Sequence, residues 1–576
     1  LLSTGTSSPK KARYSLDELV SYLGTPSENP FWFDAMRQKI FSGAIHFRKK
    51  GEEFELVEAH AVQQRERQEQ VRIREEQKLA SMVEVLKQDL AATGQVESTH
   101  RRSKLQKKAY KLIETIALDR REQRQYDEGI KLLEAIFEVP PGQPRRTAFD
   151  LLVRLGEYSP DELLSLREYN ISKSFPENIE NEATELRKKL SPPIEEETLD
   201  LLPITIDDAH TLDRDDAIAL EEKGDHDVVH IMITDVAGYL EPGSALIHEA
   251  AERSSSIYLP TQTIPMLPKA LSEDALSLKE STPQNVMDFQ IRMDKEGAPL
   301  DIQIAMRSIR VAHTLSYDEA DAILSKAEGE GSDALNQTLI RLKEISEKLR
   351  EQRSRRGAFL WSMGEYKVHI SGHGVDITEI NTSSPSRTLV QEFMILAGWM
   401  SANFCISRQI PIIFRTQRSS GTQLETHNPT LSEIFSQVIT MTPASIGVTP
   451  SPHEGLGVPA YIQITSPLRR FQDYLCQTQI RTHITSGSAA FSESELLERF
   501  SSLEEKNRIN RTIMRGAKAY WTLKYYAQRE GEKVQVIVLH TWGRKARLGF
   551  PETGYQMDWH SERELEPGTI LTCLIL

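Results

Sequence analysis

Hydrophobic and polar positions recur with different periods along the chain, and the changes of period mark its organisation. Residues 1–13 are rich in Ser, Thr and Lys and carry no period. A short apolar-periodic helix over 15–23, capped by Ser15 and broken by Gly24-Thr25-Pro26, precedes a second over 31–41. Two β-type runs over 44–47 and 54–57 then flank the turn Lys49-Lys50-Gly51-Glu52. Two helices and a hairpin predict a winged-helix-like module over 1–60. Residues 62–90 alternate charged side chains with Gln, which predicts one long exposed helix, and helical periods continue over 104–138 and 161–189. The prolines of 140–144 and the run Ser191-Pro192-Pro193 read as linkers, so 61–195 is expected to be helical with breaks. Strand-like runs follow at 228–236, 289–292 and 302–310, mixed with helical stretches at 333–353, 388–406, 467–484 and 493–528. Residues 196–530 therefore read as one large α/β or α+β domain. Period-two alternation returns at 534–539, 546–550 and 569–576, the opening of a small OB-like β-barrel over 531–576, cut short. The expected fold class is multidomain α+β.

Composition changes this picture in a few places. With 576 residues and 39% hydrophobic content, each region has enough apolar surface for a core of its own. No uninterrupted apolar run approaches a membrane span, so no membrane partner is expected. Cys405, Cys476 and Cys573 lie far apart and are odd in number, which suits neither a disulfide framework nor a thiolate metal site. A reducing compartment follows; the cytoplasm is expected, with an organelle matrix as the alternative because the first residue is Leu rather than Met. The net charge of −14 argues by itself against a nucleic-acid partner. Between residues 501 and 550, however, eleven Lys or Arg stand against four Glu. Within that stretch Arg508, Arg511, Arg515 and Lys518 recur at steps of three, four and three, which places them on one helix face. Such a face is either merely solvated or a track for phosphates.

The densest chemistry lies between Asp207 and Asp216, where Asp207, Asp208, Asp213, Asp215 and Asp216 crowd around a single strong cation, Arg214. Carboxylates a few ångströms apart repel one another unless a cation sits between them, and hard oxygen donors favour Mg²⁺, Mn²⁺ or Ca²⁺. A solvated acidic loop and a structural calcium site are the competing readings. A calcium loop of the helix-loop-helix kind opening at Asp213 would need Gly sixth and Glu twelfth, and those positions hold Ile218 and Gly224. Ile204 and Ile206 before the acids, and Ala217, Ile218 and Leu220 after them, read instead as strand ends that hold the loop against a core.

Several separated motifs extend this reading. Thr205-Ile206-Asp207, Asp213-Arg214-Asp215-Asp216-Ala217, Ser256-Ile257-Tyr258-Leu259-Pro260, Pro265-Met266-Leu267-Pro268, Leu271-Ser272-Glu273-Asp274 and Thr465-Ser466-Pro467-Leu468-Arg469-Arg470 follow in that order. Together they resemble the catalytic (RNB) domain of the ribonuclease II and RNase R family, over about residues 201–484. The resemblance implies a processive, hydrolytic 3′→5′ exoribonuclease that degrades single-stranded RNA to nucleoside 5′-monophosphates. It implies Mg²⁺, with Mn²⁺ as the alternative, no nucleotide cofactor, and a monomer. An RNA-binding member of the family that does not cut is the second reading.

By position, the resemblance makes Asp207, Asp213 and Asp216 metal ligands, Asp215 a further essential acid, and Arg469 the group against the scissile phosphate. Arg470 is its rival. Tyr258 matches a residue that stacks on the terminal nucleotide, Trp361 a second aromatic, Glu392 an acid near that nucleotide, and Arg415 lies in a recognisable Phe-Arg segment. The basic helix face of Arg508, Arg511, Arg515 and Lys518 becomes a phosphate track. Ser466-Pro467 reads as the cap and first turn of a helix aimed at the anion. Departures from the family pattern fall at Gln417, at Gln463-Ile464 and at Met232, none of them an expected ligand.

Overall fold

The computed structural model describes residues 13–23, 31, 32, 34, 37, 38, 47–57, 59–92, 102–189, 201–280, 282–326, 333–418 and 428–576. The chain divides into two compact units between Glu168 and Tyr169. In the first, the expected hairpin forms with shifted strands, Phe47–Lys50 and Glu53–Leu56, because Gly51 adopts φ +68° and the turn tightens to two residues. Tyr14–Ser15 pairs with the outer side of Glu53–Leu56, and Tyr14, Leu19 and Phe54 are buried. The expected second helix over 31–41, and the winged-helix reading that needs it, lie largely outside the described residues. The long charged helix runs from Ala59 to Ala92. Met82 and Leu86 near its end pack with Ile113, Ile116, Leu132, Leu133 and Leu151 of three shorter helices, Lys104–Ala117, Gln125–Glu134 and Pro144–Arg154.

The second unit is built on a six-stranded sheet: β1 (Ile204–Asp207), β2 (Asp216–Glu222), β3 (Asp227–Thr234), β4 (Pro283–Met293), β5 (Pro299–Arg310) and β6 (His313–Ser316), in the order β5-β4-β3-β2-β1-β6. Every neighbouring pair is antiparallel except β1 and β6, which run parallel. Val229, Ile231 and Ile233 of β3 and Met287, Phe289 and Ile291 of β4 alternate onto one fully buried face. Helix α1 (Pro385–Ser407) crosses that face over β3, β4 and β5. By length and composition α1 qualifies as a membrane span, which counting uninterrupted apolar runs did not show. Leu389, Phe393, Leu396 and Ala397 instead bury it in the protein core. Helix Glu177–Lys189 also belongs to this unit, with Ile179 and Ala183 in the same core.

Helices α2 (Phe471–Ser486) and α3 (Glu493–Ala527) follow, and Ser492 and Glu495 form a capping box at the start of α3. The chain then makes an antiparallel sheet of β7 (Lys533–Trp542), β8 (Lys545–Phe550), β9 (Tyr555–His560) and β10 (Ile570–Leu574), ordered β9-β8-β7-β10. Three of these strands were legible as alternation. The fourth, β9, was missed because Met557 and Trp559 on one face and Asp558 and His560 beside them are all exposed, leaving no buried face to read.

Candidate active site

The acid-rich stretch is the connection between two adjacent strands of the sheet. Asp207 ends β1 and Asp216 begins β2, and because Ile204 faces Ile218, antiparallel counting brings Asp207 level with Asp215. Ser277 pins the loop: its Oγ donates to the Leu212 carbonyl (2.6 Å) and accepts from the Arg214 amide (3.1 Å). Burial pushes the Asp207 carboxyl up to about 6, an effect opposed by the charges of Arg214 and Arg469 and reinforced by Asp213 and Asp208. Burial likewise raises Asp215 to about 7 against the pull of Arg469 and the Leu468 amide. Asp216 is raised well above the usual carboxylate range, first by burial and then by the charges of Asp207 and Asp215. Three desolvated acids in mutual repulsion are costly for a fold to hold, and a divalent cation would relieve them.

A second loop, its Leu468 lying 253 residues downstream of Asp215, completes the arrangement. Asp215 Oδ1 accepts from the Leu468 amide (2.8 Å) and Oδ2 from Arg469 Nε (3.0 Å), while Arg469 Nη2 donates to Ser466 Oγ (2.8 Å). Asp473 braces the other side, accepting from the Ser466 amide (2.8 Å) and Arg470 Nη2 (2.7 Å). A β-bridge joins Ser255 to Arg470, and the Ser256 amide donates to the Arg469 carbonyl (3.0 Å). That bridge draws Tyr258 in, and its hydroxyl donates to Asp213 Oδ2 at 2.6 Å. Two hydrogen-bonded pairs, Tyr258 with Asp213 and Arg469 with Asp215, are thus set side by side by the backbone bond between Ser256 and Arg469.

The structure departs from the sequence expectations at several residues. Helix α2 begins at Phe471 with Arg470 as its N-cap, so Ser466-Pro467 caps nothing and both arginines precede the helix. Asp215 is 2% exposed, with one carboxylate oxygen engaged by the Leu468 amide and the other by Arg469 Nε, so it faces its own loop rather than open space. Glu392 points inward and is held by Arg353 at 2.7 and 2.6 Å, which makes it a structural anion and not an RNA contact. On α3, Arg508 is paired with Glu505 (2.6 Å), and Lys518 is half-buried, its ammonium pKa lowered by desolvation. Arg511 and Arg515 are exposed, with no ion-pair partner among the described residues. Trp361 is 37% exposed, in the link that follows helix Ala334–Arg355.

Arg415 donates to Gln463 Oε1 (3.0 Å), so one departure from the family pattern is this arginine's own partner. Burial lowers the Arg415 pKa, with Arg511 and Arg470 near enough to add repulsion and Glu504 to oppose it. Met232 is simply core. Sequence reasoning missed His453, which packs edge-on to Tyr461 (5.8 Å between centroids) with Nδ1 buried and unsatisfied. Burial, then the charge of Arg415, pushes this imidazole down to about 4. A histidine depressed in the fold loses stability as pH falls, because the unfolded chain takes up the proton first, below about 6.5. Urea unfolding should therefore show wild type losing about 3 kcal/mol relative to His453→Gln between pH 7 and pH 4. Equal losses in both proteins would contradict the burial argument.

Sequence analysis also missed Tyr317 and Arg387. Burial, followed by the charges of Asp216 and Asp207, raises the Tyr317 hydroxyl above its ordinary pKa, which places the ring in the field of the acid loop. Arg387 Nη2 donates to Asp208 Oδ1 at 2.5 Å.

Residues 196–486, half the chain, match the RNB domain. The chain belongs to the RNB family. Among its RNB relatives, an uncharacterized ribonuclease of Synechocystis sp. is 27% identical over 542 residues, covering 92% of this chain and 79% of its own length. A ribonuclease R of Chlamydia muridarum is 28% identical over 347 residues, covering 54% of this chain and only 50% of its own. Two solved structures share the fold. RNase R of Mycoplasma genitalium, solved with ribose-methylated single-stranded RNA, superposes with a TM-score of 0.60 at 20% identity over 68% of each chain. An active-site mutant of the Dss1 exoribonuclease from Candida glabrata gives 0.71 at 19% identity, covering 86% of this chain and 68% of that one.

Proposed function

We propose that this RNB protein is a metal-dependent exoribonuclease that removes nucleoside 5′-monophosphates one at a time from the 3′ end of single-stranded RNA. The observation that carries the reading is the pair of hydrogen bonds from Tyr258 to Asp213 and from Arg469 to Asp215, which sets a guanidinium and an exposed aromatic beside a loop of crowded, desolvated acids. The names of the RNB relatives support the same reading.

Among the described residues no three His, Cys, Asp or Glu side chains already stand in ligating geometry. The donor chemistry nevertheless fits a hard divalent cation, because Asp207 and Asp216 are half-buried, mutually repelling oxygen donors and Asp213 is their neighbour in the loop. These three would hold Mg²⁺, or Mn²⁺ in its place, which when bound supplies charge neutralisation at the phosphate and lowers the pKa of a water. Arg469 binds the scissile phosphate, since a planar guanidinium can bridge two of its oxygens. Asp215 positions that guanidinium. Tyr258, 42% exposed and held at its hydroxyl by Asp213, offers a ring face to the terminal base. Stacking of this kind contributes about 1–3 kcal/mol per base without regard to sequence. Arg415, Arg470, Arg511 and Arg515 supply the contacts to upstream phosphates, and Trp361 is the candidate for a second stack.

A 5′-labelled single-stranded oligoribonucleotide incubated with the protein and Mg²⁺ should shorten from its 3′ end with mononucleotide as product, and EDTA should stop it. Shortening from the 5′ end, or equal rates in EDTA, would overturn the reading. RNA retention without any shortening would leave the non-cutting member of the family.

A further inference from the structure

We propose that Arg387 is a positioning residue of the metal loop, withdrawing the Asp208 carboxylate from the acids that hold the cation. The inference rests on the metal-site reading given above. Asp208 is chemically as good a ligand as its neighbours and adjoins Asp207 in sequence, and its charge is felt at Asp207. What sets it apart is the Arg387 guanidinium, 2.5 Å from Oδ1.

Arg387 is not a loose surface cation. Its guanidinium carbon lies 3.9 Å from the Tyr317 ring centroid, so the ring face fixes its plane. Tyr317 in turn follows Ser316, the register partner of Asp207 in the parallel pair of β1 and β6, so one further step sets Tyr317 beside Asp208. The backbone around Arg387 is fastened to the same corner. Ser384 Oγ caps the first turn of α1 by accepting from the Arg387 amide (3.4 Å). The Ser386 amide donates to Asp321 Oδ1 (2.8 Å), and Ser386 Oγ donates to the Tyr317 carbonyl (3.1 Å). Strand register, helix cap and ring stacking therefore converge to hold one guanidinium against one carboxylate. Released, that carboxylate would compete with Asp207 for the cation and pull it from the position that Arg469 and the phosphate require.

The test uses the full chain with Arg387→Gln, Arg387→Lys, Asp208→Asn and the double substitution Arg387→Gln/Asp208→Asn. Mn²⁺ binding without RNA is read by electron paramagnetic resonance, and single-turnover mononucleotide release is read with Mg²⁺. Arg387→Gln should bind Mn²⁺ about tenfold more tightly and release nucleotide about tenfold more slowly, two changes of opposite sign that a disordered loop would not give. Asp208→Asn and the double variant should return both quantities to within about threefold of wild type, because there is no stray carboxylate left to restrain. Arg387→Lys, which keeps the charge, should also stay within that range. Loss of both binding and rate in Arg387→Gln, failure of the double variant to recover, or a Lys variant as poor as Gln would each overturn the proposal. No Mn²⁺ binding by the unsubstituted chain would instead remove the metal-site reading, and this inference with it.

Discussion

Asp215→Asn is expected to slow single-turnover release of nucleotide by about a thousandfold while leaving the affinity for single-stranded RNA nearly unchanged. The carboxylate does two jobs with its two oxygens, one for the Leu468 amide and one for Arg469 Nε. Asparagine keeps an acceptor for the first but turns an N–H toward the second, so donor meets donor and the guanidinium must leave its place. Arg469 has a second tie, to Ser466 Oγ, which is neutral and leaves the side chain free to swing. Affinity is expected to survive because the arginines proposed to meet upstream phosphates, Arg415, Arg511 and Arg515 among them, make no hydrogen bond to Asp215. If Asp215 works through Arg469, then Arg469→Ala should cost as much as Asp215→Asn, and the double variant should be no slower than the worse single. Rates that multiply in the double variant would show that Asp215 has a separate chemical task. Near-normal turnover by Asp215→Asn would remove the assignment altogether.

The sequence made the acid loop legible because everything that defines it is local: apolar strand ends on both sides and charges too close to be left alone. The sheet was visible for the same reason, since β3, β4 and β5 alternate onto a buried face. What could not be read depended on partners far along the chain. Ser466-Pro467 is a good local start for a helix, yet the amides of Ser466 and Leu468 are claimed by Asp473 and Asp215, so the segment stays a turn and α2 starts at Phe471. Helical spacing put Arg508, Arg511, Arg515 and Lys518 on one face, but spacing does not say that Glu505 already holds Arg508 or that Lys518 is half covered. The clamp of Arg387 on Asp208 spans 179 residues and has no signature shorter than the fold itself.

Glu392 offers the largest expected effect on stability, and it separates the structural reading of that residue from the one its sequence position implied. Its side chain is fully buried, and Arg353, itself only 5% exposed, meets both carboxylate oxygens and also donates to the Leu456 carbonyl at 2.6 Å. Gly457, next to Leu456, has φ +66°, and a Cβ there would lie 2.7 Å from the Arg353 carbonyl, so the backbone is drawn tightly around the pair. Removing one member of such a pair leaves the other's charge buried without its bidentate partner, with only Arg350 Nη1 at 3.9 Å left beside Glu392, at a cost of about 3–5 kcal/mol. Arg353→Met should therefore destabilise the protein by about that amount in urea unfolding, and Glu392→Gln should approach it. Replacing both residues with Met should recover most of the loss, because no charge is then left unpaired. At low temperature, where Glu392→Gln remains folded, its affinity for single-stranded RNA should match wild type, since the carboxylate has no free oxygen to offer a ribose or a base. A Glu392→Gln protein of normal stability with weakened RNA binding would return this residue to the RNA site and break the pair's structural role.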